Sequence, residues 1–270
     1  MPSITQTQAA IRHAAGPHKR FEAQFCGTAF APHRHDSYAI CITMRGVQSF
    51  NYRGCERHSL AGDLVILHPD ELHDGHAGCE DGFAYRGISI EPFRLQEALG
   101  QTPLPFIEGG RSNHPNLRAA VTELLADFDA PLDDLAFDDL LSMLADALVE
   151  ASGMAHQQGR ADDHAVARAR DFILDHLEEP VSMDDLESAA GISRWQLSRD
   201  FRTLLGTSPY RFALLRRLDQ AQRDLASGAE IADTAYAYGF ADQAHFSRHF
   251  KSAYGRTPRQ FQSAARTIIQ

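Results

Sequence analysis

The sequence predicts an α+β protein of two domains: a small antiparallel β-barrel or sandwich followed by two helices, then an all-helical domain. Three observations carry this. Between residues 21 and about 92, short apolar and aromatic runs alternate with turns rich in Gly, Pro and Asp. Residues 116–129 and 134–152 place apolar residues at helical spacing. Near the C-terminus, one stretch is written twice. Residues 197–212 read LSRDFRTLLGTSPYRF and residues 246–261 read FSRHFKSAYGRTPRQF, a constant offset of 49. The 270 residues, 43% hydrophobic and 23% charged, suffice for two domains with cores of their own.

The duplicated stretch is informative because the whole pattern recurs in register. Ser198/Ser247, Arg199/Arg248, Phe201/Phe250, Gly206/Gly255, Pro209/Pro258 and Phe212/Phe261 are identical, and Arg202/Lys251 keeps its charge. Leu197, Phe201 and Leu204 fall on one helical face, as do Phe246, Phe250 and Tyr254 in the second copy. Trp195, Ser198, Arg199 and Arg202 form a second, basic face, matched by Ala244, Ser247, Arg248 and Lys251 with Gln243 at the start. Ser193 and Asp242 are N-cap residues, the two glycines stand where a left-handed C-terminal residue belongs, and the two prolines open a further helix.

A short alanine-containing stretch ending in glycine precedes each copy, MDDLESAAG at 183–191 and IADTAYAYG at 231–239. A short helix, a glycine turn and a basic helix make a helix-turn-helix unit, whose second helix fits the DNA major groove. The overall charge of −10 is unevenly spread. Residues 190–270 hold 12 Lys and Arg against 6 Asp and Glu, so the basic charge gathers on the two units.

Over residues 164–265 the sequence resembles the DNA-binding domain of the AraC/XylS family of bacterial transcription regulators. The resemblance rests on GISRWQLSRDFRTLLGTSPYRF and IADTAYAYGFADQAHFSRHFKSAYGRTPRQF and on the stretch SPYRFALLRRLDQAQRDLA between them. It implies two helix-turn-helix units joined by one long helix, of roughly 28 Å for 19 residues, so that both recognition helices enter successive major grooves. It also implies DNA contacts by Trp195, Ser198 and Arg199 in the first unit, and by Gln243, Ala244, His245, Ser247 and Arg248 in the second. Arg202 and Lys251 are expected to grip phosphate, and Ala244 to meet an apolar base edge such as a thymine methyl.

In the N-terminal half the strand candidates are FEAQFCGTAF, YAICITMRG, VQSFNYRG, DLVILHP and FAYRGISIE, joined by the turns NYRGCER, LAGD, HPDELHDG and CEDG. PHRHD at 32–36 puts His33 and His35 on one side of a strand. With AGD at 61–63 and His73, this resembles the small cupin-type β-barrel that forms the ligand domain of many AraC-family proteins, over residues 25–95. Metal-binding cupins carry a Glu five residues after the second His, where this chain has Ile40. Three readings of the histidines stay open: hydrogen-bonded residues of the barrel wall, polar contacts to a small effector at the barrel mouth, or a metal site of His33, His35 and His73 with His68 or His76. Arg86 is a candidate counter-charge for an acidic effector, and Tyr38 and Tyr85 are candidates for its pocket.

Residues 1–20 read as a flexible arm, 21–152 as the effector-binding and dimerisation domain, 153–163 as a linker and 164–270 as the DNA-binding domain. Leu117, Val121, Leu124, Leu125 and Phe128 form one stripe, and Leu140, Leu141, Leu144, Leu148 and Val149 another; family resemblance favours a homodimer built on these helices. Cys26, Cys41, Cys55 and Cys79 form no C-x-x-C pair and are expected to be reduced. No apolar run reaches membrane-spanning length and no signal sequence is evident, so the expectation is a cytoplasmic protein without membrane contact. The partners expected are promoter DNA, a small effector, a second copy and, for an activator, RNA polymerase, with no cofactor. The alternative is a metal-binding cupin enzyme fused to a DNA-binding domain.

Overall fold

The structure is a computed structural model that describes residues 9–100, 102–154 and 160–269. It divides into two compact units, residues 1–133 with 140–159 and residues 134–139 with 160–270. The expected boundary at 153–163 therefore needs one correction: the first six residues of a long helix at 134–152 belong to the second unit, where Leu135 joins the core.

Among the described residues the first unit holds nine strands: β1 (Ala9–His13), β2 (Arg20–Phe25), β3 (Thr28–His33), β4 (Tyr38–Tyr52), β5 (Cys55–Leu60), β6 (Leu64–Leu67), β7 (His73–Ala77), β8 (Phe83–Ile90) and β9 (Arg111–Ser112). All pairings are antiparallel. The 15-residue β4 organises them. Its first part lies between β8 and β6, and its second part pairs with β5 and β7. A register shift between Thr43 and Arg45, followed by Gly46 at φ 70°, bends the strand from one group to the other.

Alternation along the strands sorts the side chains. Ala23, Phe25, Cys41, Val65, Phe83 and Tyr85 share one core with Phe50 and Tyr52. Phe25, Phe83 and Tyr85 stack at centroid separations of 5.7–6.3 Å. Ile40 and its neighbours Ile66 and Ile88 alternate to the opposite face and are almost wholly buried. Helix α2 (Pro115–Leu124) packs against β4 there and contributes Leu117, Ala120, Val121 and Leu124 to the buried set. Each of these leucine and valine side chains is worth about 1.5–3 kcal/mol relative to exposure.

Several elements differ from expectation. Residues 9–13 of the expected arm form β1, an edge strand on β2, and Arg12 ties it down through Glu22 at 3.1 Å and the Phe128 ring at 4.6 Å. Residues 1–8 of that arm lie outside the described residues. FEAQFCGTAF splits into β2 and β3 around Gly27 at φ 81°, whereas YAICITMRG and VQSFNYRG fuse into β4. The expected turns NYRGCER and HPDELHDG give way partway to β5 and β7. The helix expected over 116–129 stops at Leu124, and α1 (Pro92–Leu99) precedes it. Helix α3 (Asp134–Ser152) takes its expected length. Both apolar stripes proposed for dimerisation are buried within the chain, so they offer no free surface to a partner.

In the second unit, α4 (Asp163–Asp175), α5 (Met183–Ala190) and α6 (Arg194–Leu205) are followed by α7 (Pro209–Ser227), then α8 (Ile231–Ala237), α9 (Gln243–Tyr254) and α10 (Pro258–Ile269). Two cores result. Ala165, Ile173, Leu186, Leu197, Phe201 and Ala213 form one; Leu218, Leu225, Ala235, Phe246 and Phe250 form the other. Helix α7 contributes its N-terminal part to the first and its C-terminal part to the second.

Candidate nucleic-acid interface and sensor groove

The repeat is visible as repeated geometry. Ser193 and Asp242 cap α6 and α9 by accepting from Gln196 N and His245 N. Gly206 and Gly255 close the same helices at φ 67° and 72°. Pro209 and Pro258 open α7 and α10. The conserved phenylalanines make the same edge contact in both copies, Phe201 with Phe212 at 5.6 Å and Phe250 with Phe261 at 5.8 Å. Gly191 at φ 72° and Gly239 at φ 72° stand between the helices of each unit.

The outward faces are less symmetrical than the spacing predicts. Gln243, Ala244, Arg248 and Lys251 are exposed on α9, with His245 and Ser247 half-buried. His245 Nε2 and His249 Nε2 are 2.8 Å apart, one ring turn above the other. On α6, Trp195 and Arg199 are half-buried, but Ser198 is fully buried and is corrected from the groove-reading set. It lies one turn before Arg202 and beside Leu197 and Phe201, because α6 packs against both α4 and α5 and buries a wider sector than one apolar row. Leu204, expected in the core, lies in the last turn of α6 and is 43% exposed.

Arg202 is engaged as well. Its Nη2 donates to Asp139 Oδ1 at 2.6 Å and to Asp139 O at 2.7 Å, which occupies the group expected to grip phosphate. Arg194, not singled out in the sequence, is held by Asp138 at 2.5 Å, by Glu187 at 2.7 Å and by Asp184. Both arginines sit on the recognition helix yet serve ion pairs within the unit. Arg256 and Arg259, missed by spacing because they fall beyond α9, are exposed, Arg256 in the turn after α9 and Arg259 in the first turn of α10.

The sensor candidates divide into three environments. His33 and His73 are register partners on β3 and β7, with ring centroids 4.4 Å apart. His35 lies 4.8 Å from His73 and 6.2 Å from His33. Each uses Nδ1 on a backbone carbonyl: His33 on Ala31, His35 on Ser37 and His73 on Glu71, at 2.7–2.9 Å. A carbonyl only accepts, so each Nδ1 carries the proton and each Nε2 of the neutral ring is a bare lone pair. Each can therefore act as a hydrogen-bond acceptor, whereas their ring nitrogens do not draw together as a three-ligand metal group.

His68 stands apart from this group. Ile107 N donates to its Nε2 at 2.9 Å, so its Nδ1–H donates to Tyr52 Oη at 2.6 Å. His76 pairs with Glu56 at 3.3 Å. Neither completes the three-histidine cluster, and Ile40 lies in the apolar layer on the opposite face of β4 from Cys41. Tyr38 is corrected to a wall residue: it is buried and donates to Pro105 O at 3.1 Å. Tyr85 is core. Arg86 alternates away from that core and is held by Glu22 and the Phe128 ring, so it does not serve the barrel interior. Beside His73 opens a groove of about 430 Å³ lined by Arg34, Asn51, Arg53, Leu72 and Asp74.

Comparison with known proteins adds to this geometry. Residues 16–145 match the AraC-like ligand binding domain, and residues 186–264 match a helix-turn-helix domain family. The chain belongs to the AraC family. It is 28% identical over 244 residues to the uncharacterized HTH-type transcriptional regulator YbfI of Bacillus subtilis (strain 168), covering 85% of this chain and 86% of that protein. It is 27% identical to the HTH-type transcriptional activator RhaS of Yersinia pestis (strain Pestoides F), covering 90% and 92%. Among solved structures, an AraC-type transcriptional regulator from Chromobacterium violaceum is 32% identical over 37% of this chain and 91% of that one, with a TM-score of 0.36. A ligand-binding domain and a DNA-binding domain in one chain make this AraC-family protein a ligand-responsive transcription regulator.

The sensor domain of this AraC-family chain carries a pH signature. Burial pushes His68 and His73 down to about 4 from the ordinary 6.5; the Arg53 charge adds to this at His68. The unfolded chain takes up these protons below pH 6.5 while the folded one resists until about 4. The stability they contribute is complete above pH 6.5 and is lost as pH falls towards 4, by a few kcal/mol in total on the order-of-magnitude scale of proton linkage. Thermal unfolding from pH 8 to 4 checks this, and His68→Gln should flatten part of the decline.

Proposed function

We propose that the protein binds a small effector at the barrel mouth and regulates transcription by placing α6 and α9 in successive major grooves of promoter DNA. The observation that carries this is the repeated unit: two recognition helices with the same caps, the same closing glycines and the same Phe–Phe contact, joined by the 19-residue α7. At 1.5 Å per residue α7 spans roughly 28 Å, close to one turn of B-DNA. Trp195 and Arg199 would read the first groove, and Gln243, Ala244, His245, Ser247 and Arg248 the second. Lys251, with Arg256 and Arg259, would hold phosphates, and Arg202 would join them on leaving Asp139.

The relatives named as activators support activation, and with it a contact to RNA polymerase. The effector would change how the DNA-binding units are presented by biasing one arrangement of the chain over another. A homodimer remains part of the reading, with an interface outside the two buried stripes. No described helix is long and apolar enough to cross a membrane, which accords with work in the cytoplasm.

Arg199→Ala and Arg248→Ala should each weaken specific binding by about 1–3 kcal/mol and relax preference at one base position. Lys251→Ala should weaken all sequences alike and lower the salt slope by about 1. Fluorescence anisotropy of the full chain on specific and random duplexes separates the two behaviours. Equal loss on both duplexes for Arg199→Ala and Arg248→Ala would remove base reading from these helices.

A further inference from the structure

We infer that the effector is a small carboxylic acid that also carries hydrogen-bond donors: Arg34 and Arg53 take its carboxylate, and the bare Nε2 atoms of His33, His35 and His73 take the donors. This rests on reading the barrel mouth as the effector site.

Three Nδ1–H groups are spent on carbonyls, so three lone pairs remain. No described residue donates to any of these Nε2 atoms. His73 is only 3% exposed, but its Nε2 is not sealed from solvent and lines the groove, where it can accept from a bound molecule. A hydroxyl or an ammonium group supplies the missing proton.

The arginine side rests on backbone conformation. Among the described residues only Arg53 (φ 51°) and Asp70 (φ 61°) are non-glycine residues in the left-handed region. Arg53 lines this groove, and Asp70 precedes its lining residues Glu71 and Leu72. Arg53 occupies the β4–β5 turn beside Gly54 (φ 76°), where Asn-Gly would fit without strain. Asp70 offers its carbonyl to Arg34 Nη1. The left-handed Arg53 carries one guanidinium of the groove and the left-handed Asp70 holds the other through its carbonyl, the kind of strain that gathers at binding sites. The Arg53 guanidinium lies over the Phe106 ring at 5.0 Å and 3.4 Å from Glu71, and Arg34 lies 3.6 Å from Asp70. Neither contact uses the whole donor fork, and Asp74 is occupied by Asn51 N and Nδ2. Arg34, Arg53 and His73 line the same groove, so a planar anion that also carries a donor finds partners for both groups there.

Thermal unfolding of the full chain in EDTA tests this with D-gluconate, L-malate and L-serine, against acetate, an acid without donors, and glycerol, donors without an acid. The expected result is a rise in Tm with at least one of the first three at a concentration where both controls are inert. Gluconate or malate against serine tells hydroxyl from ammonium. Arg34→Gln should abolish the rise. Arg53→Asn should abolish it while raising the Tm of the unliganded chain, because the turn is relieved of strain. A rise shared by glycerol, a rise that survives Arg53→Asn, or no rise with any acid would overturn the inference. A rise seen only when zinc chloride replaces EDTA would overturn it in favour of a three-histidine metal site. DNA binding by the same preparations is read separately: its absence would sink the regulatory reading and leave the acid site standing.

Discussion

Gly46→Ala should unfold or severely destabilise the sensor domain, by about 3–5 kcal/mol. Two costs combine. At φ 70° an added Cβ meets the left-handed penalty of about 1–2 kcal/mol. The same Cβ would sit 2.0 Å from Gly82 O and 3.0 Å from Phe83 Cα, backbone atoms that cannot move aside without breaking the β4–β8 ladder; overpacking of this kind costs typically 1–3 kcal/mol or more. The position matters because β4 changes partners there, so a distorted bend separates the two strand groups that share Phe25, Phe50, Tyr52 and Phe83. Chemical denaturation should show an early transition for the sensor domain. Gly54→Ala makes a useful contrast, since an added Cβ there meets nothing within 4 Å and the cost is conformational alone.

Phe250→Ala should cost about 3–5 kcal/mol and remove the second recognition helix from function. The ring is fully buried against Phe246 at 5.5 Å, Tyr254 at 4.7 Å and Phe261 at 5.8 Å. Its core is separate from the one built on Phe201. The loss should therefore fall on α8, α9 and α10, with α6 still folded. Footprinting should show protection shrinking to one half-site. Phe201→Ala should do the converse. If either variant erased both halves together, the two cores would be one cooperative unit and the repeat would be structural duplication without independent function.

The helical half of the fold was legible because its signals are backbone signals: caps, closing glycines and opening prolines recur at fixed offsets, and all take the conformation those residues favour. The faces of the recognition helices were less legible. Ser198 is polar and sits beside two basic residues, but a helix packed on two neighbours buries a sector that one apolar row does not mark. Arg202 read as a free cation because its partner, Asp139, is 63 residues away in sequence. In the sensor half, CERHSL and HDGHA lack apolar alternation. They are strands because β4 and β3 offer them unpaired backbone groups, a tertiary cause that local propensity does not carry. The grouping of His33, His35 and His73 followed from the sequence; the tautomers, the groove and the strained Arg53 turn did not, since each depends on which carbonyl or ring stands across the fold. Arg86 failed as a pocket residue through strand parity, as Phe83 and Tyr85 already claim the core side.

The most direct test of the central claim is selection of binding sites from a random duplex library by the full chain. Enriched sequences should carry two preferred blocks whose centres lie about one helical turn, roughly 10–11 bp, apart on one face of the duplex. Inserting about 5 bp between the blocks should then abolish tight binding, because α7 fixes the separation of α6 and α9. A single enriched block, or two blocks that tolerate the insertion, would contradict the joint reading of successive grooves.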